Sequence, residues 1–328
     1  MNMKKILIIL IFGVAVSACY DDYILDYDYD AIYFPYQYDV RTFVVGEGMQ
    51  IKMGVALGGI RENDRDRLVN YQLDNNLISP ATLTAMKGSA GYIKNALGTE
   101  LKLLPSDYYS LSHDSEMVIK KGDHSGTITL TPDSAAFLAD PDALTATYAI
   151  PLRIVSDNAD ADSVLSTKDF AVIALKYENM LFGNYWHGGR TIVKDPAGTA
   201  FDTILYHTTI PSPEAKVWTL STVEPFALTS NNVSDFSSSP PKPEMKITLD
   251  PGGNVVVSTV AGATYTIEPD GPSTFNQAKL LQDRKILLNY KYQDATGNWY
   301  HATDTLTFRN RIRDGVNEWQ DENPGNYD

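Results

Sequence analysis

Apolar and polar residues alternate along most of the chain, which is the pattern of β-strands that bury one face. In the segment "MQIKMGVAL", one face would carry Met49, Ile51, Met53, Val55 and Leu57, and the other Gln50 and Lys52. Residues two apart in a strand share a face because side chains alternate sides. This segment is therefore predicted to be a half-buried strand.

The first half of the chain contains seven further segments of this kind. They begin at Ala31, Arg41, Arg67, Glu116, Gly126, Tyr148 and Phe170. Eight short strands with turn-rich gaps predict an Ig-like β-sandwich over residues 31–178. Residues 80–97 and 133–140 break the alternation and are predicted to contain helical turns. Pro151 has no N–H to donate, which predicts that its strand lies at a sheet edge or carries a bulge.

A second series of β-segments follows Asn179. Its members begin at Asn184, Phe201, Lys216, Glu244, Asn254, Ala263, Arg284 and Asn298. The motifs "DPGGN" and "DATGN" indicate hairpin turns, because glycine readily adopts a positive φ. Sequential hairpins predict an antiparallel domain over residues 179–328, closed as a β-barrel or folded as a β-sandwich. Residues 230–243 are polar and rich in proline, and are predicted to form a loop. The fold class is therefore all-β.

The N-terminus has the features of a secretory signal peptide. Lys4 and Lys5 precede an apolar run over residues 6–16, which ends at Ser17 and Ala18. This run is too short to cross a membrane, which takes about 20 residues in a helix. Residues 1–18 are therefore predicted to be removed.

Cys19 is the only cysteine in the sequence. The motif "VSAC" resembles the bacterial lipobox, in which the cysteine thiol is acylated and becomes the first residue of the mature protein. Residues 19–30 alternate Asp with Tyr and are predicted to form an acidic tether. The start of this tether, "CYDD", resembles the signal that exports Bacteroidetes lipoproteins to the outer face of the outer membrane.

The charge of the chain restricts its partners. It has 27 basic and 41 acidic side chains, for a net charge of −14, and the predicted signal peptide contains two of the lysines. Such a chain repels nucleic acid and anionic lipid headgroups. Membrane contact is therefore expected only through the lipid anchor. With one cysteine, the chain is also expected to have no internal disulfide.

Three motifs resemble those of a known group of proteins. They are "AIYF" at 31–34, "LPSDYY" at 104–109 and "PLRI" at 151–154. The chain resembles Bacteroidetes surface lipoproteins that have an N-terminal β-sandwich of unknown role. The segments "FGNYWHGG" (182–189) and "NWYHATDTLTFRN" (298–310) are similar to the all-β domain that follows in one subgroup. The resemblance implies a glycan-related role near an outer-membrane transporter complex, by association only.

The sequence contains no motif for an enzyme or a cofactor. It has no nucleophile elbow, phosphate-binding loop or zinc-binding histidine spacing. His187, His207 and His301 could converge in the second domain, but ordinary strand positions are favoured. "DNADAD" at 157–162 has oxygen donors at alternate positions yet lacks the glycine and glutamate of an EF-hand, so a solvated turn is favoured over a calcium site. No metal, cofactor or enzymatic activity is predicted.

The aromatic residues supply the candidate binding site. Flat Trp and Tyr side chains can stack on the apolar faces of sugar rings. Strand alternation sets Trp299 and His301 on a polar face, with Tyr300 in the phase of the core. Trp186 and Tyr185 are the other candidate ligand-binding residues.

The leading expectation is a non-enzymatic surface lipoprotein that binds glycan or assists a polysaccharide-uptake complex. The alternative is a structural or adhesive surface protein, such as a pilus-like subunit or a binder of host protein. A glycan-binding protein needs an aromatic platform, whereas a pilus-like subunit needs an exchangeable edge strand.

Overall fold

A computed structural model describes residues 29–321, apart from the side chains of residues 156–159. The strands of the first half are β1 (Ala31–Tyr33), β2 (Tyr38–Val45), β3 (Ile51–Gly58), β4 (Arg67–Leu73), β5 (Leu97–Leu103), β6 (Tyr109–Leu111), β7 (Glu116–Ile119), β8 (Ser125–Pro132), β9 (Ala146–Ala159), β10 (Ser163–Val164) and β11 (Phe170–Asn179). Those of the second half are β12 (Gly183–Lys194), β13 (Ala200–Tyr206), β14 (Lys216–Glu224), β15 (Ala227–Ser230), β16 (Asn232–Val233), β17 (Phe236–Ser237), β18 (Met245–Leu249), β19 (Asn254–Thr259), β20 (Glu268–Pro269), β21 (Ser273–Phe275), β22 (Lys285–Gln293), β23 (Trp299–Arg313) and β24 (Val316–Glu318). The α-helices are α1 (Pro80–Lys87), α2 (Gly91–Ala96) and α3 (Ser134–Ala139).

The strands of the first half form two sheets that share one apolar core. One sheet has the order β10-β1-β3-β8-β6, and the other has the order β2-β11-β9-β4-β7, with β5 also paired to β9. Ile32 and Met53 from the first sheet pack in the same buried cluster as Phe43 and Leu152 from the second. The predicted N-terminal β-sandwich is therefore confirmed.

The helical turns lie in the two segments where the alternation breaks. Helix α1 begins after Ser79, whose side chain accepts a hydrogen bond from the Thr82 amide (3.1 Å), and Pro80 occupies the first turn, where it costs no hydrogen bond. Helix α3 begins after Asp133, which caps it through the Ala136 amide (2.9 Å). Three short strands of the sandwich, β5, β6 and β10, were not predicted.

The sequence predicted that the strand of Pro151 lies at a sheet edge or carries a bulge, and the edge position is wrong. Strand β9 lies inside its sheet, between β11 and β4. The carbonyl of Pro151 accepts from the Asp74 amide (3.1 Å), and β4 pairing ends at Leu73 opposite Leu152. The backbone nitrogen of Pro151 therefore faces the gap between β4 and β5. No described strand offers a carbonyl partner there, so the absence of an N–H costs no hydrogen bond of the sheet. The register of β9 against β4 does shift, but opposite Val69 and Tyr71, several residues beyond the proline.

The strands of the second half close into an eight-stranded antiparallel barrel. Its order is β12-β14-β15-β18-β19-β21-β22-β23, and β23 pairs back with β12 from Asn184 to Lys194. Strand β13 extends the sheet beyond β14 by pairing with the second half of β12. The structure thus decides between the two predicted forms of this domain in favour of the barrel.

The proline-rich segment 230–243 is not only a surface loop. It contains the small hairpin of β16 and β17, and Val233 belongs to the barrel core. Ser234, in the turn of that hairpin, is buried, and its amide donates to the hydroxyl of Tyr290 (2.5 Å). This hairpin therefore fills part of the barrel interior.

The predicted signal peptide, Cys19 and most of the acidic tether lie outside the described residues. Asp30, assigned to the tether, is instead buried against the sandwich, where it accepts from Arg67 Nη1 (2.6 Å) and from the Asp162 amide (2.6 Å). Within residues 29–321, no helix is long and apolar enough to cross a membrane.

Candidate functional site

A groove of about 850 Å³ opens beside Trp299. It lies between the hairpin turn that joins β22 to β23 and the loop that leads into β20. Its lining consists mainly of polar and aromatic side chains: Thr264, Tyr265, Thr266, Glu268, Gln293, Asp294, Ala295, Thr296 and Trp299.

One wall of the groove is a hydrogen-bonded turn, the "DATGN" motif. The Asp294 carboxylate accepts from the amide and hydroxyl of Thr296 (2.8 and 2.7 Å) and from the amide of Asn298 (3.0 Å). The hydrogen bond from the Thr296 hydroxyl is the main cause that lowers the pKa of Asp294 to about 2. Gly297 supplies the positive φ (91°) that the turn needs. This wall is therefore fixed without a ligand.

The opposite wall is held by a buried acid. Glu244 is fully buried, and its carboxylate accepts from the amide (2.5 Å) and the hydroxyl (2.9 Å) of Thr264. Tyr265 packs against Tyr292 with ring centroids 4.8 Å apart. The aromatic side chain of this wall is thus positioned by contacts on its inner side.

Trp299 and Tyr300 take opposite faces of β23. The register between β22 and β23 runs without a shift from Gln293–Trp299 to Tyr292–Tyr300, so the alternation predicted from the sequence holds through the turn. Tyr300 stacks on Tyr292 (5.0 Å, 10° between rings) against the barrel core. Trp299 is half-buried and lines the groove.

A lysine orients the ring of Trp299. The Lys291 ammonium lies 4.8 Å from the ring centroid, a distance at which cation–π attraction operates. The same ammonium is 3.3 Å from a carboxylate oxygen of Glu268. These two contacts tie the tryptophan to the acidic side of the groove.

His301 lies on the same face as Trp299, but it does not line the groove. Its Nδ1 is 2.6 Å from a carboxylate oxygen of Asp270. This contact holds the imidazole against the segment that follows β20. We therefore assign His301 to the support of the groove rather than to its lining.

The other two predicted binding residues lie elsewhere on the barrel. Trp186 is half-buried, with the Arg309 guanidinium 4.8 Å from its ring centroid. Tyr185 is fully buried, packs edge-on against Phe308 (5.6 Å) and donates to the Leu181 carbonyl (3.0 Å). Tyr185 is therefore a core residue, and its prediction as a ligand-binding residue is wrong. Tyr185 and Trp186 are neighbours in one strand, so they point to opposite faces.

Sequence reasoning missed most of the groove. Tyr265 and Thr266 were assigned to a strand beginning at Ala263, whereas the described strand is only β20. Asp294 and Thr296 were read as turn residues alone. These turn residues could have been found from their position in the sequence. They directly precede Trp299, the first residue of the next strand, and so lie beside it.

The sequence allowed three histidines to converge but favoured ordinary strand positions, and the structure does not bring His187 and His301 together. His187 is fully buried between Tyr206 (4.9 Å) and Trp218 (4.5 Å), whereas His301 is on the outer face. His187 Nε2 is 3.3 Å from Asp304 Oδ1 but is not aligned for a hydrogen bond. Among the described residues, no group of three His, Cys, Asp or Glu side chains could hold a metal ion.

The acidic side chain in this interior cluster is satisfied by tyrosines. Asp304 accepts from the hydroxyls of Tyr206 and Tyr290, the latter at 2.5 Å. Burial and the charge of Asp304 raise the pKa of both tyrosines well above 10. We interpret this cluster as polar packing that specifies the barrel interior.

A smaller cavity, of about 360 Å³, lies between the sandwich and the barrel. Its walls include Val45 and Met180 on one side and Phe226, Leu249 and Phe275 on the other. This cavity is more enclosed than the Trp299 groove but is mainly apolar, so it offers few groups to pair with sugar hydroxyls.

The "DNADAD" motif lies partly outside the described residues, because the side chains of Asp157 and Asn158 are not described. Asp160 forms an ion pair with Arg65 (3.0 Å), and Asp162 accepts from the Asp30 amide (2.9 Å). These two carboxylates are directed to different partners.

The fold and the groove define a two-part, all-β protein with an aromatic, polar groove on its C-terminal barrel. A family model for a "-like, N-terminal domain" matches residues 27–161. A comparison with curated protein sequences finds no match.

The chain is similar to solved structures from Bacteroides. The chain is similar to a Bacteroides ovatus protein of unknown function (TM-score 0.63, 20% identity), with 90% of this chain and 98% of that chain covered. It is also similar to another such protein from Bacteroides ovatus (TM-score 0.43, 14% identity, 89% and 100% covered). A third is an auxiliary nutrient binding protein from Bacteroides thetaiotaomicron (TM-score 0.38, 17% identity, 82% and 88% covered). The resemblance expected from the sequence is confirmed, and at these identities it concerns the fold.

Proposed function

We propose that this protein is a non-catalytic, glycan-binding lipoprotein that holds sugar in the groove beside Trp299. The observation that carries the proposal is the pairing of two aromatic side chains, Trp299 and Tyr265, with hydroxyl and amide groups in one open groove. Sugar rings present apolar C–H faces and a rim of hydroxyls, so they match such a surface.

The groove is organised before any ligand binds. The Asp294 turn and the Glu244–Thr264 contacts fix its two walls. Because these side chains are already ordered, binding would cost less conformational entropy than it would in a flexible loop. The Lys291 ammonium covers one side of the Trp299 ring, which leaves the other side as the stacking surface in this proposal.

The state of Asp294 supports binding rather than hydrolysis. A glycosidase needs a carboxylic acid whose pKa is raised so that it can donate a proton to the leaving group. The pKa of Asp294 is lowered instead, to about 2, and its oxygens are occupied by the turn. Asp294 is therefore suited to a structural role.

The proposed location is the outer face of the outer membrane, with acyl chains on Cys19 as the anchor. The sequence supports this proposal through the "VSAC" motif and the acidic residues that follow it. The partners in this proposal are a surface glycan and an outer-membrane transporter complex.

The test is the binding of polysaccharides to the full chain in mild detergent, measured by retardation in affinity gels. We expect Trp299→Ala to weaken binding by about 1.5–3 kcal/mol, which corresponds to roughly 10- to 150-fold, because the stacking area is lost. The matched control is Trp319→Ala, which removes an exposed tryptophan outside the groove. An unchanged Trp299→Ala protein, or an equal loss in the Trp319→Ala protein, would contradict the proposal.

A specific observation also favours the adhesive alternative. Strand β13 pairs with β12 alone among the described strands, and its side chains Phe201 and Leu205 are 61% and 65% exposed. A free edge with exposed apolar side chains can add another strand. If this alternative holds, the full chain self-associates or binds a protein partner in sedimentation experiments, and Leu205→Asp abolishes the association.

A further inference from the structure

The charges around the groove are unevenly distributed. Glu268 and Asp294 line it, and among the described residues in the lining there is no cationic side chain. Two lysines lie next to Trp299: Lys291 is engaged by Glu268 and by the ring of Trp299, and Lys194 pairs with Trp299 from the neighbouring strand β12. The charged side chains of the lining itself are therefore both acidic.

The hydrogen bonds of the turn favour the ionised form of Asp294. With a pKa of about 2, the carboxyl group stays ionised across the neutral and mildly acidic range. The whole chain adds to this field, because acidic side chains outnumber basic ones by 41 to 27. A polyanion that approaches the groove meets repulsion at long range and again at contact.

The uncharged groups of the groove match sugar hydroxyls. Thr266, Gln293 and Thr296 are exposed; the Thr266 hydroxyl and the Gln293 amide oxygen lie beside the aromatic side chains, whereas the Thr296 hydroxyl is held by Asp294. Recognition of a uronate or a sulfate ester would call for arginine or lysine donors directed at the anion.

We propose that the groove selects neutral polysaccharides and rejects polyuronates and sulfated glycans. This proposal rests on the proposed function, since it concerns the ligand class of the same groove. Selection arises from the acidic lining, which repels anions, while stacking and hydroxyl pairing hold neutral sugar.

The experiment compares neutral and anionic probes with the full chain in mild detergent. The neutral probes are α-mannan, xylan, mixed-linkage β-glucan and dextran, and the anionic probes are polygalacturonate and chondroitin sulfate. Retardation is measured at 20 mM and at 500 mM NaCl. We expect retardation by at least one neutral probe at both salt concentrations, and none by the anionic probes.

A charge reversal gives the discriminating variant. Glu268→Lys should produce retardation by an anionic probe at 20 mM NaCl, where the wild-type chain shows none, and this gain should shrink at 500 mM because salt screens the charge. The matched control is Glu62→Lys, which makes the same charge change at an exposed residue of the sandwich. Neutral binding should be retained in the control, and anionic binding should stay absent.

The outcomes separate the two proposals. Polygalacturonate or chondroitin sulfate could retard the wild-type chain more than every neutral probe, with Trp299→Ala abolishing that binding. This result would overturn the proposed selectivity but would support the groove as the glycan-binding site. An equal gain for anions in Glu268→Lys and Glu62→Lys also overturns the selectivity, because it would show that only net charge matters. If none of the six probes retards the wild-type chain, the proposed function itself fails.

Discussion

Glu47 is one of the residues that join the two halves of the molecule. It lies in the turn between β2 and β3, and its carboxylate accepts from both terminal nitrogens of Arg311 (2.8 Å each). Arg284 Nη2 approaches the same carboxylate to 2.7 Å. Burial alone would raise the pKa of Glu47, but the hydrogen bond and the charge of Arg311, followed by those of Arg284, lower it below the ordinary value of 4.5. The acid is thus ionised and paired inside the junction.

Removal of this carboxylate should destabilise the protein strongly. We expect Glu47→Ala to lower the free energy of unfolding by about 3–5 kcal/mol, because two buried guanidinium groups lose a shared partner. Urea unfolding of the full chain measures this, with Glu62→Ala as the exposed control. A loss no larger than that of the control would show that the junction does not depend on the pair.

The same residue predicts a dependence of stability on acid. The pKa of Glu47 is lower in the folded protein than in the unfolded chain, so its contribution is fully present above about pH 4.5 and is lost as the pH falls below that value. Unfolding curves between pH 7 and pH 3 should therefore converge for wild type and Glu47→Gln at the acidic end. Parallel curves over the whole range would argue against this assignment.

At the scale of elements, β12 organises the barrel. It pairs with β14, β13 and β23. Its residues 188 and 189 leave room for other segments of the chain to approach the strand closely. A Cβ atom on Gly188 would lie 2.1 Å from the His207 carbonyl oxygen and 2.5 Å from Ile210 Cδ1. The glycine is required because the segment that leaves β13 crosses this strand at contact distance.

An added methyl group should test this close approach. We expect Gly188→Ala to cost about 1–3 kcal/mol of stability, because a backbone carbonyl must move to make room. The matched control is Gly91→Ala, at the start of α2, where an added Cβ meets open space and alanine favours the helix. Thermal melts of both variants decide the matter, and equal melting temperatures would contradict the expected crowding.

For the whole molecule, the proposed anchor gives the clearest test. We expect Cys19→Ala to prevent incorporation of labelled palmitate, because the sequence has no second thiol to acylate. The variant should still fold, since residues 29–321 contain the described core. Persistent labelling would place the acyl group on another residue and would remove the lipobox interpretation.

Much of the architecture could be predicted from local patterns. Period-two alternation located most of the longer strands, and it also set Trp299 and Tyr300 on opposite faces of β23. Strand β10 was not predicted, and β20 was predicted to be longer than it is. Each contains only two residues, which are too few to show an alternation. Tyr185 was misjudged because alternation says that it opposes Trp186 but does not say which of the two faces the core.

The sequence by itself determined the all-β class, the two series of strands and the outward position of Trp299, because these depend on residues close together in the chain. Tertiary structure alone decided the closure of the barrel by β12 and β23, the walls of the groove and the pairing of Glu47 with Arg311. Those partners are separated by many residues, and local periodicity carries no information about which distant strand or charge will be adjacent. A buried acid such as Glu47 can be recognised only when its partner is known, since the cost of burial is offset by contacts that the fold creates.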